Sequence, residues 1–176
     1  EFMLGNGGTD MMNGNDGLDV MFGGNDADTM NGNDGDDVMS GGNDADTMNG
    51  NGGTDLMRGN DGVDTIHGND GTDLMRGDAG NDVMYGDDDK DWMSGNRDND
   101  LMFGGIGNDK MFGNDGNDCM YGEASVDLMW GNRGDDDMDG GSDNDRMFGD
   151  QDNDRMIGSD GPDLMLGLRG NDEMDG

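Results

Sequence analysis

Residues 21–38 read MFGGNDADTMNGNDGDDV, and residues 39–56 repeat them closely as MSGGNDADTMNGNGGTDL. Each block of eighteen residues divides into two units of nine. Counted from its first glycine, each unit has Gly in position one, Asp in position six and Met in position eight. A regular internal repeat decides the architecture of a chain before any other feature does.

The same phase runs through the whole chain of 176 residues. Gly occurs at every ninth position from Gly5 to Gly176, and Asp at every ninth position from Asp10 to Asp172. Met follows each of these aspartates by two residues, except where Ile66 replaces it. Nineteen consecutive units therefore keep one pattern without a gap.

The composition within the unit predicts alternating turns and short strands. All 38 glycines lie in positions one to four, and position two is most often Asn. Gly, and less easily Asn and Asp, tolerate positive φ, so these positions favour tight turning. Positions seven to nine, such as Val20-Met21-Phe22, are predicted to form very short strands with Met on one face. The eighteen-residue duplication indicates that two units make one coil. Twenty strands then stack as about ten coils in a rod roughly 48 Å long.

Composition excludes several other classes of protein. The chain has 43 acidic and 9 basic residues, a formal net charge of −34, and only 29% hydrophobic residues. Such a polyanion repels nucleic acid, and the small apolar fraction argues against an ordinary two-layer core. No apolar run is long enough for a transmembrane helix. The single cysteine, Cys119, excludes an internal disulfide framework.

The nine-residue unit resembles the repeats-in-toxin (RTX) calcium-binding nonapeptide, Gly-Gly-x-Gly-x-Asp-x-(large apolar)-x. The resemblance covers almost the whole chain. It implies an all-β fold, a right-handed parallel β-roll or β-solenoid with Ca²⁺ in the turns. Residues 1–176 are expected to be one such domain, with repeats over 5–175, and to be a piece of a longer protein.

The resemblance also implies the calcium ligands, which are position-six carboxylates and backbone carbonyls of positions one to four. The carboxylates are those of Asp10, Asp19, Asp28, Asp37, Asp46, Asp55, Asp64, Asp73, Asp82, Asp91, Asp100, Asp109, Asp118, Asp127, Asp136, Asp145, Asp154, Asp163 and Asp172. The position-one glycines among the carbonyl ligands are Gly5, Gly14, Gly23, Gly32, Gly41, Gly50, Gly59, Gly68, Gly77, Gly86, Gly95, Gly104, Gly113, Gly131, Gly140, Gly149 and Gly158. Nineteen loops on two sides make seventeen same-side pairs, nineteen minus two, so up to about seventeen ions are expected. Their charge of +34 would balance the −34 of the chain.

Three loops depart from the pattern. The loop from Gly122 to Asp127 has neither Gly nor Asp at position four, where Ser125 stands. Ile106 and Leu168 place apolar side chains in two others.

The methionines of position eight have two interpretations. Inward alternation predicts that they form the core, where Met fills irregular space. A row of thioethers is also the ligand type that a soft ion such as Cu(I) prefers. Ile66, which has no sulfur, favours the core.

The outward positions differ between the two predicted sheets. Position seven is apolar in eight of ten strands of the first sheet, which also carries Phe22, Phe112, Trp130 and Phe148 in position nine. This stripe is explained either by strand propensity or by an interface with a neighbouring domain or a second copy. The second sheet carries a short array of Thr29, Thr47 and Thr65 with neighbouring asparagines, which resembles an ice-binding face.

No catalytic group is predicted. The single histidine, His67, and Cys119 lie about three coils apart, roughly 14 Å at the interstrand spacing, beyond hydrogen-bond reach. The predicted function is therefore a non-enzymatic calcium-binding segment that folds on Ca²⁺ outside the cell. Members of the family are typically secreted or surface proteins of bacteria, exported by type I secretion, and the repeats assist secretion. The alternative is an adhesion or ice-binding module that uses an outward sheet.

Overall fold

The computed structural model describes residues 1–176 and contains twenty β-strands and no helix. Odd-numbered strands form one ten-stranded sheet, sheet A, and even-numbered strands form a second, sheet B. The strands of sheet A are β1 (Phe2–Gly7), β3 (Val20–Asn25), β5 (Val38–Asn43), β7 (Leu56–Asp61), β9 (Leu74–Ala79), β11 (Trp92–Arg97), β13 (Lys110–Asp115), β15 (Leu128–Arg133), β17 (Arg146–Gln151) and β19 (Leu164–Arg169). The strands of sheet B are β2 (Met11–Asn13), β4 (Thr29–Asp34), β6 (Thr47–Gly52), β8 (Thr65–Asp70), β10 (Val83–Asp88), β12 (Leu101–Ile106), β14 (Cys119–Ala124), β16 (Asp137–Ser142), β18 (Arg155–Asp160) and β20 (Glu173–Asp175).

Both sheets are parallel, and their register repeats every eighteen residues. Met84 pairs with Met102 in sheet B, and Met93 pairs with Met111 in sheet A. Each coil therefore contributes one strand to each sheet and lies directly above the same positions of the coil before it. The prediction of a parallel β-solenoid of ten coils is confirmed. No segment of the chain forms an apolar helix of the length that a membrane span needs.

Most strands are longer than the three residues that the sequence predicts. They run from position seven through position three of the next unit, as in Val20–Asn25. Pairing continues there because identical coils stack in register, so turn residues such as Asn96 and Asn114 still lie side by side. Positions two and four nevertheless have the predicted turn conformation with positive φ, except Gly107 in position four. All nineteen residues of position two have positive φ, including Leu168 at 70°.

The core is a single layer of position-eight side chains. Seventeen of them form one buried cluster, and Ile66 occupies its place in the row with no exposed surface. The prediction that these methionines fill the interior is confirmed. Each terminal coil has a neighbouring coil on one side only. Met3 and Met165 are therefore partly buried, and Met174 is exposed.

The outward side chains form rows that follow the register. Thr29, Thr47 and Thr65 lie side by side, as predicted. Beyond them, position nine of sheet B carries a stack of four rings that sequence analysis missed. His67, Tyr85, Phe103 and Tyr121 follow one another at centroid distances of 4.4, 5.0 and 5.2 Å.

The burial of the methionines predicts a sharp difference in their oxidation. Met11 stands in position seven and is 83% exposed, whereas Met48, Met75 and Met102 have no exposed surface. Peroxide treatment of the calcium-loaded chain should oxidise Met11 and Met174 first, because a sulfoxide in the interior finds no polar partner. Peptide mass spectrometry measures the order. Removal of calcium should abolish the protection, and equal oxidation of inner and outer methionines with calcium bound would contradict the assignment of the core.

Candidate metal-binding turns

The position-six aspartates lie in the turns between the two sheets, in one row along each edge of the rod. The row that contains Asp64 and Asp82 follows sheet A strands, and the row that contains Asp73 and Asp91 follows sheet B strands. Sixteen of the nineteen are buried, from Asp19 to Asp154. Buried carboxylates of this number require partners, because an unpaired charge in a protein interior is costly.

One oxygen of seventeen of these carboxylates, from Asp28 to Asp172, accepts a hydrogen bond from the neighbouring coil. The backbone N–H of Asp64 donates to Oδ1 of Asp82 at 2.8 Å, and that of Asp73 donates to Oδ1 of Asp91 at 2.8 Å. Seventeen such bonds run along the two rows, each within one row, with lengths of 2.7 to 3.1 Å. The rows thus hold neighbouring coils together at both edges.

The second oxygen has no partner. Oδ2 is buried and accepts no hydrogen bond in eighteen of the nineteen position-six aspartates, Asp172 being the exception. A repeated geometry that leaves one oxygen of eighteen carboxylates unsatisfied is expected where a cation completes the site.

The glycine of position one provides the space beside this oxygen. A Cβ placed on Gly104 would lie 2.6 Å from Oδ2 of Asp109 and 2.8 Å from the carbonyl oxygen of Gly122. On Gly68 it would lie 2.5 Å from Oδ2 of Asp73. Position one is therefore Gly because a carboxylate oxygen and a backbone carbonyl approach it closely. These are the hard oxygen donors that Ca²⁺ prefers.

The donor set consists of carboxylate and backbone oxygens together. No three His, Cys, Asp or Glu side chains converge on one point. A metal held here would take its remaining ligands from turn carbonyls, as the resemblance implies. The residues present fit calcium by donor chemistry.

Burial raises the pKa of most of these aspartates. The pKa reaches about 8 for Asp91 and Asp100, because burial disfavours the carboxylate and neighbouring carboxylates add to the effect. The backbone N–H bond from the preceding coil opposes the shift. The pKa is about 8 for Asp127 and Asp136, about 7 for Asp55 and Asp82, and about 6 for Asp46, Asp64, Asp73, Asp109, Asp118, Asp145 and Asp154. Without a metal, ionisation of these carboxylates is therefore unfavourable in the folded chain.

The loop that lacks Gly and Asp at position four retains the same arrangement. Oδ1 of Asp127 accepts the N–H of Asp109 at 2.8 Å, and its Oδ2 has no partner. Ser125 reaches the required conformation with φ of 89°. The turn geometry therefore tolerates this departure from the pattern.

A second row of hydrogen bonds lies outside the aspartates and was missed by sequence analysis. At position five, the N–H of Asn117 donates to Oδ1 of Asn99 at 2.7 Å, and that of Asn153 donates to Oδ1 of Asp135 at 2.8 Å. These bonds run toward the preceding coil, opposite to those of position six. Asn recurs in position five from Asn81 onward, and this recurrence is the sequence feature that could have predicted the second row of hydrogen bonds.

His67 and Cys119 lie on the outer face of sheet B, in strands β8 and β14. His67 stacks on Tyr85, and Nδ1 lies 3.4 Å from Oδ2 of Asp87. Strands β10 and β12 separate it from Cys119, which is partly buried. The structure does not bring the two side chains together.

The family comparison agrees with this geometry. A family model described as the RTX calcium-binding nonapeptide repeat (4 copies) matches the chain in overlapping segments from residue 4 to residue 176. The segments are residues 4–39, 22–57, 31–66, 49–84, 58–93, 67–102, 85–118, 94–129, 113–147 and 148–176. No curated protein sequence matches the chain.

A methyl group in position one should disturb the turn. Gly104→Ala should destabilise the calcium-loaded protein by about 1–3 kcal/mol, the usual cost of overpacking, because the carboxylate and carbonyl must move apart. Gly52→Ala is the matched control, since its Cβ would meet only Oδ1 of Asp34, at 3.7 Å. Thermal unfolding measures both variants. Equal stability of the two would show that position one does not require Gly for space.

The raised pKa values predict that the calcium-free chain is more stable in acid. An unfolded aspartate has a pKa of about 3.9, whereas burial raises that of Asp55 to about 7 and that of Asp91 to about 8. The folded state binds more protons between these values, so its stability is present at low pH and is lost as pH rises toward 8. In chelator, circular dichroism should therefore show more β-structure at pH 5 than at pH 8. The reverse order would contradict the burial of ionisable carboxylates.

Proposed function

This chain belongs to the RTX calcium-binding nonapeptide repeat family, and we propose that it is a non-catalytic β-roll segment that folds when Ca²⁺ binds outside the cell. The observation that carries the proposal is the set of eighteen buried Oδ2 atoms without a partner, in two rows along the rod. Each lies beside a glycine of position one, where a side chain would collide with it. The proposal treats residues 1–176 as one domain of a longer protein.

The position-six carboxylates and turn carbonyls named above would hold the ions. Calcium would supply positive charge to the unpaired oxygens. Each ion would lie between two same-side turns, which gives up to about seventeen ions for nineteen loops. The chain's own part is to place carboxylates one coil apart, at about 4.8 Å, where they repel one another strongly without a cation.

Ion binding then becomes folding free energy. The core is one layer of methionines and the chain carries a net charge of −34, so apolar burial has little capacity to hold the coils together. A ligand that binds the folded state alone stabilises it by mass action. In a cytoplasm with little calcium the chain would stay unfolded and suited to export. Outside, millimolar calcium would stack the coils.

We infer from this coupling that the segment assists secretion. A chain that cannot fold before export passes through a narrow channel, and one that folds on arrival cannot slide back. The family is typical of secreted bacterial proteins, which supports an extracellular or cell-surface location by type I secretion. The proposed role is structural.

Calcium titration followed by circular dichroism tests the proposal. The chain should be unfolded in chelator at pH 8 and gain β-structure in millimolar Ca²⁺. Mg²⁺ should substitute poorly, because it requires near-octahedral geometry at shorter distances. A strand signal that persists in excess chelator at this pH would contradict calcium-coupled folding.

A matched pair of substitutions tests the ligand assignment. Asp64→Asn removes a buried position-six charge, whereas Asp61→Asn removes one charge from an exposed position three. The first should raise the calcium concentration at the folding midpoint and reduce its cooperativity, and the second should leave both nearly unchanged. Equal midpoints for the two variants would mean that the effect of calcium is general charge screening.

A further inference from the structure

Positions seven and nine on the outer face of sheet A contain no acidic side chain, and the acidic residues nearest to them are Asp78 and Asp150 in position two of β9 and β17. Positions seven and nine of the ten strands of sheet A point outward because position eight points inward. These twenty residues comprise fourteen apolar residues, two serines and four basic residues, in a chain with 43 acidic residues. The basic residues are Arg58, Arg76, Lys110 and Arg146.

Charge is segregated between the two sheets as a whole. The strands of sheet A carry seven of the nine basic residues and four acidic ones, whereas those of sheet B carry one basic and ten acidic residues. Arg97, Arg133 and Arg169 complete the set of seven at the ends of their strands. The remaining negative charge lies in the turns, so the rod has one cationic face.

Large apolar side chains on this face are exposed. Trp92 is 48% exposed, Leu164 is 45% exposed, and Phe2 is 66% exposed. Both tryptophans of the chain, Trp92 and Trp130, lie on sheet A. Exposed apolar residues aligned along a flat sheet mark an interaction surface.

Neighbouring side chains cover several ring faces on sheet A. Trp130 stacks between Phe112 and Phe148, at centroid distances of 4.6 and 5.5 Å, and Nζ of Lys110 lies 4.1 Å from the centroid of Trp92. Stacking on a sugar requires a free ring face, and the faces of Trp130 are covered. A second copy of the same face would bring eight cations together against four carboxylates, those of Asp78 and Asp150 in each copy, and this excess of positive charge disfavours self-association.

We propose that the outer face of sheet A binds an anionic lipid surface. Aromatic and aliphatic side chains beside Lys and Arg are the composition of elements that lie in the membrane interface. The apolar side chains would enter the headgroup region, and the four cations would pair with anionic headgroups. The acidic turns and sheet B would face away from the bilayer. This function is separate from calcium binding, since it uses none of the position-six carboxylates.

Vesicle binding with intrinsic fluorescence tests the proposal. The calcium-loaded chain should bind vesicles of phosphatidylcholine and phosphatidylglycerol at 3:1, and should bind pure phosphatidylcholine much more weakly. Because both tryptophans lie on sheet A, brominated acyl chains should quench the emission. Binding should weaken as salt rises, since salt screens the headgroup pairs.

Two matched pairs of variants locate the surface. Arg58→Gln with Arg76→Gln removes two cations from the face, and should weaken binding roughly 25-fold, at about fivefold for each cation. Lys90→Gln with Arg155→Gln removes two cations from elsewhere and should change binding less than twofold. Leu56→Thr with Leu74→Thr should likewise weaken binding, whereas Val83→Thr with Leu101→Thr on sheet B should not. Circular dichroism in calcium confirms that each variant folds.

Several outcomes would overturn the proposal. One is the absence of binding to the mixed vesicles. Another is an equal loss of vesicle binding in a sheet A double variant and in its control. That result would assign binding to net charge or to calcium bridging at the turns. Binding to polygalacturonate or poly-glutamate but not to vesicles would assign the face to an acidic polymer. If the chain folds without calcium, the same vesicle experiment in chelator still decides the question.

Discussion

The unpaired carboxylate oxygen in each turn is the constraint on which the rest of the structure depends. It requires a glycine in position one, because any side chain there would occupy the same space as the oxygen. The other oxygen of the same carboxylate accepts the backbone N–H of the neighbouring coil, so the turns must stack in register. A change of phase by one residue would break the row on that edge. The strict nine-residue period is therefore a consequence of electrostatics as much as of strand pairing.

The methionine core contributes less to the specificity of this structure than the turns do. In most domains apolar burial drives folding and polar groups adapt to it. Here two sheets share one layer of thioether side chains, and sixteen carboxylates are buried along its edges. Met suits this place because it is unbranched and adapts to a narrow interior. Its flexibility contributes little specificity, which comes instead from the turns.

The position of each residue within the nine-residue repeat was sufficient to predict the coil, the inward methionines and the outward position of Met11. These features follow from period and alternation, which a sequence displays directly. The length of the strands did not follow, because pairing through positions one to three depends on the coils above and below. The bonds of Asn99 and Asn117 and the stack from His67 to Tyr121 were also missed. Both join residues eighteen apart, and they become visible only when each coil is aligned with the next. The absence of acidic residues from positions seven and nine of sheet A also becomes visible only when the strands are sorted by sheet.

The number of coils in this rod can change during evolution, because each coil contacts only its neighbours. Each coil pairs only with the coils beside it, and every hydrogen bond of the aspartate rows spans eighteen residues. Gain or loss of eighteen residues by unequal recombination would join two equivalent surfaces and leave every other coil unaltered. The near identity of residues 21–38 and 39–56 is the trace that such an event leaves in a gene. Selection can thus tune the reach of the molecule in steps of one coil, about 4.8 Å, without redesigning any part of it.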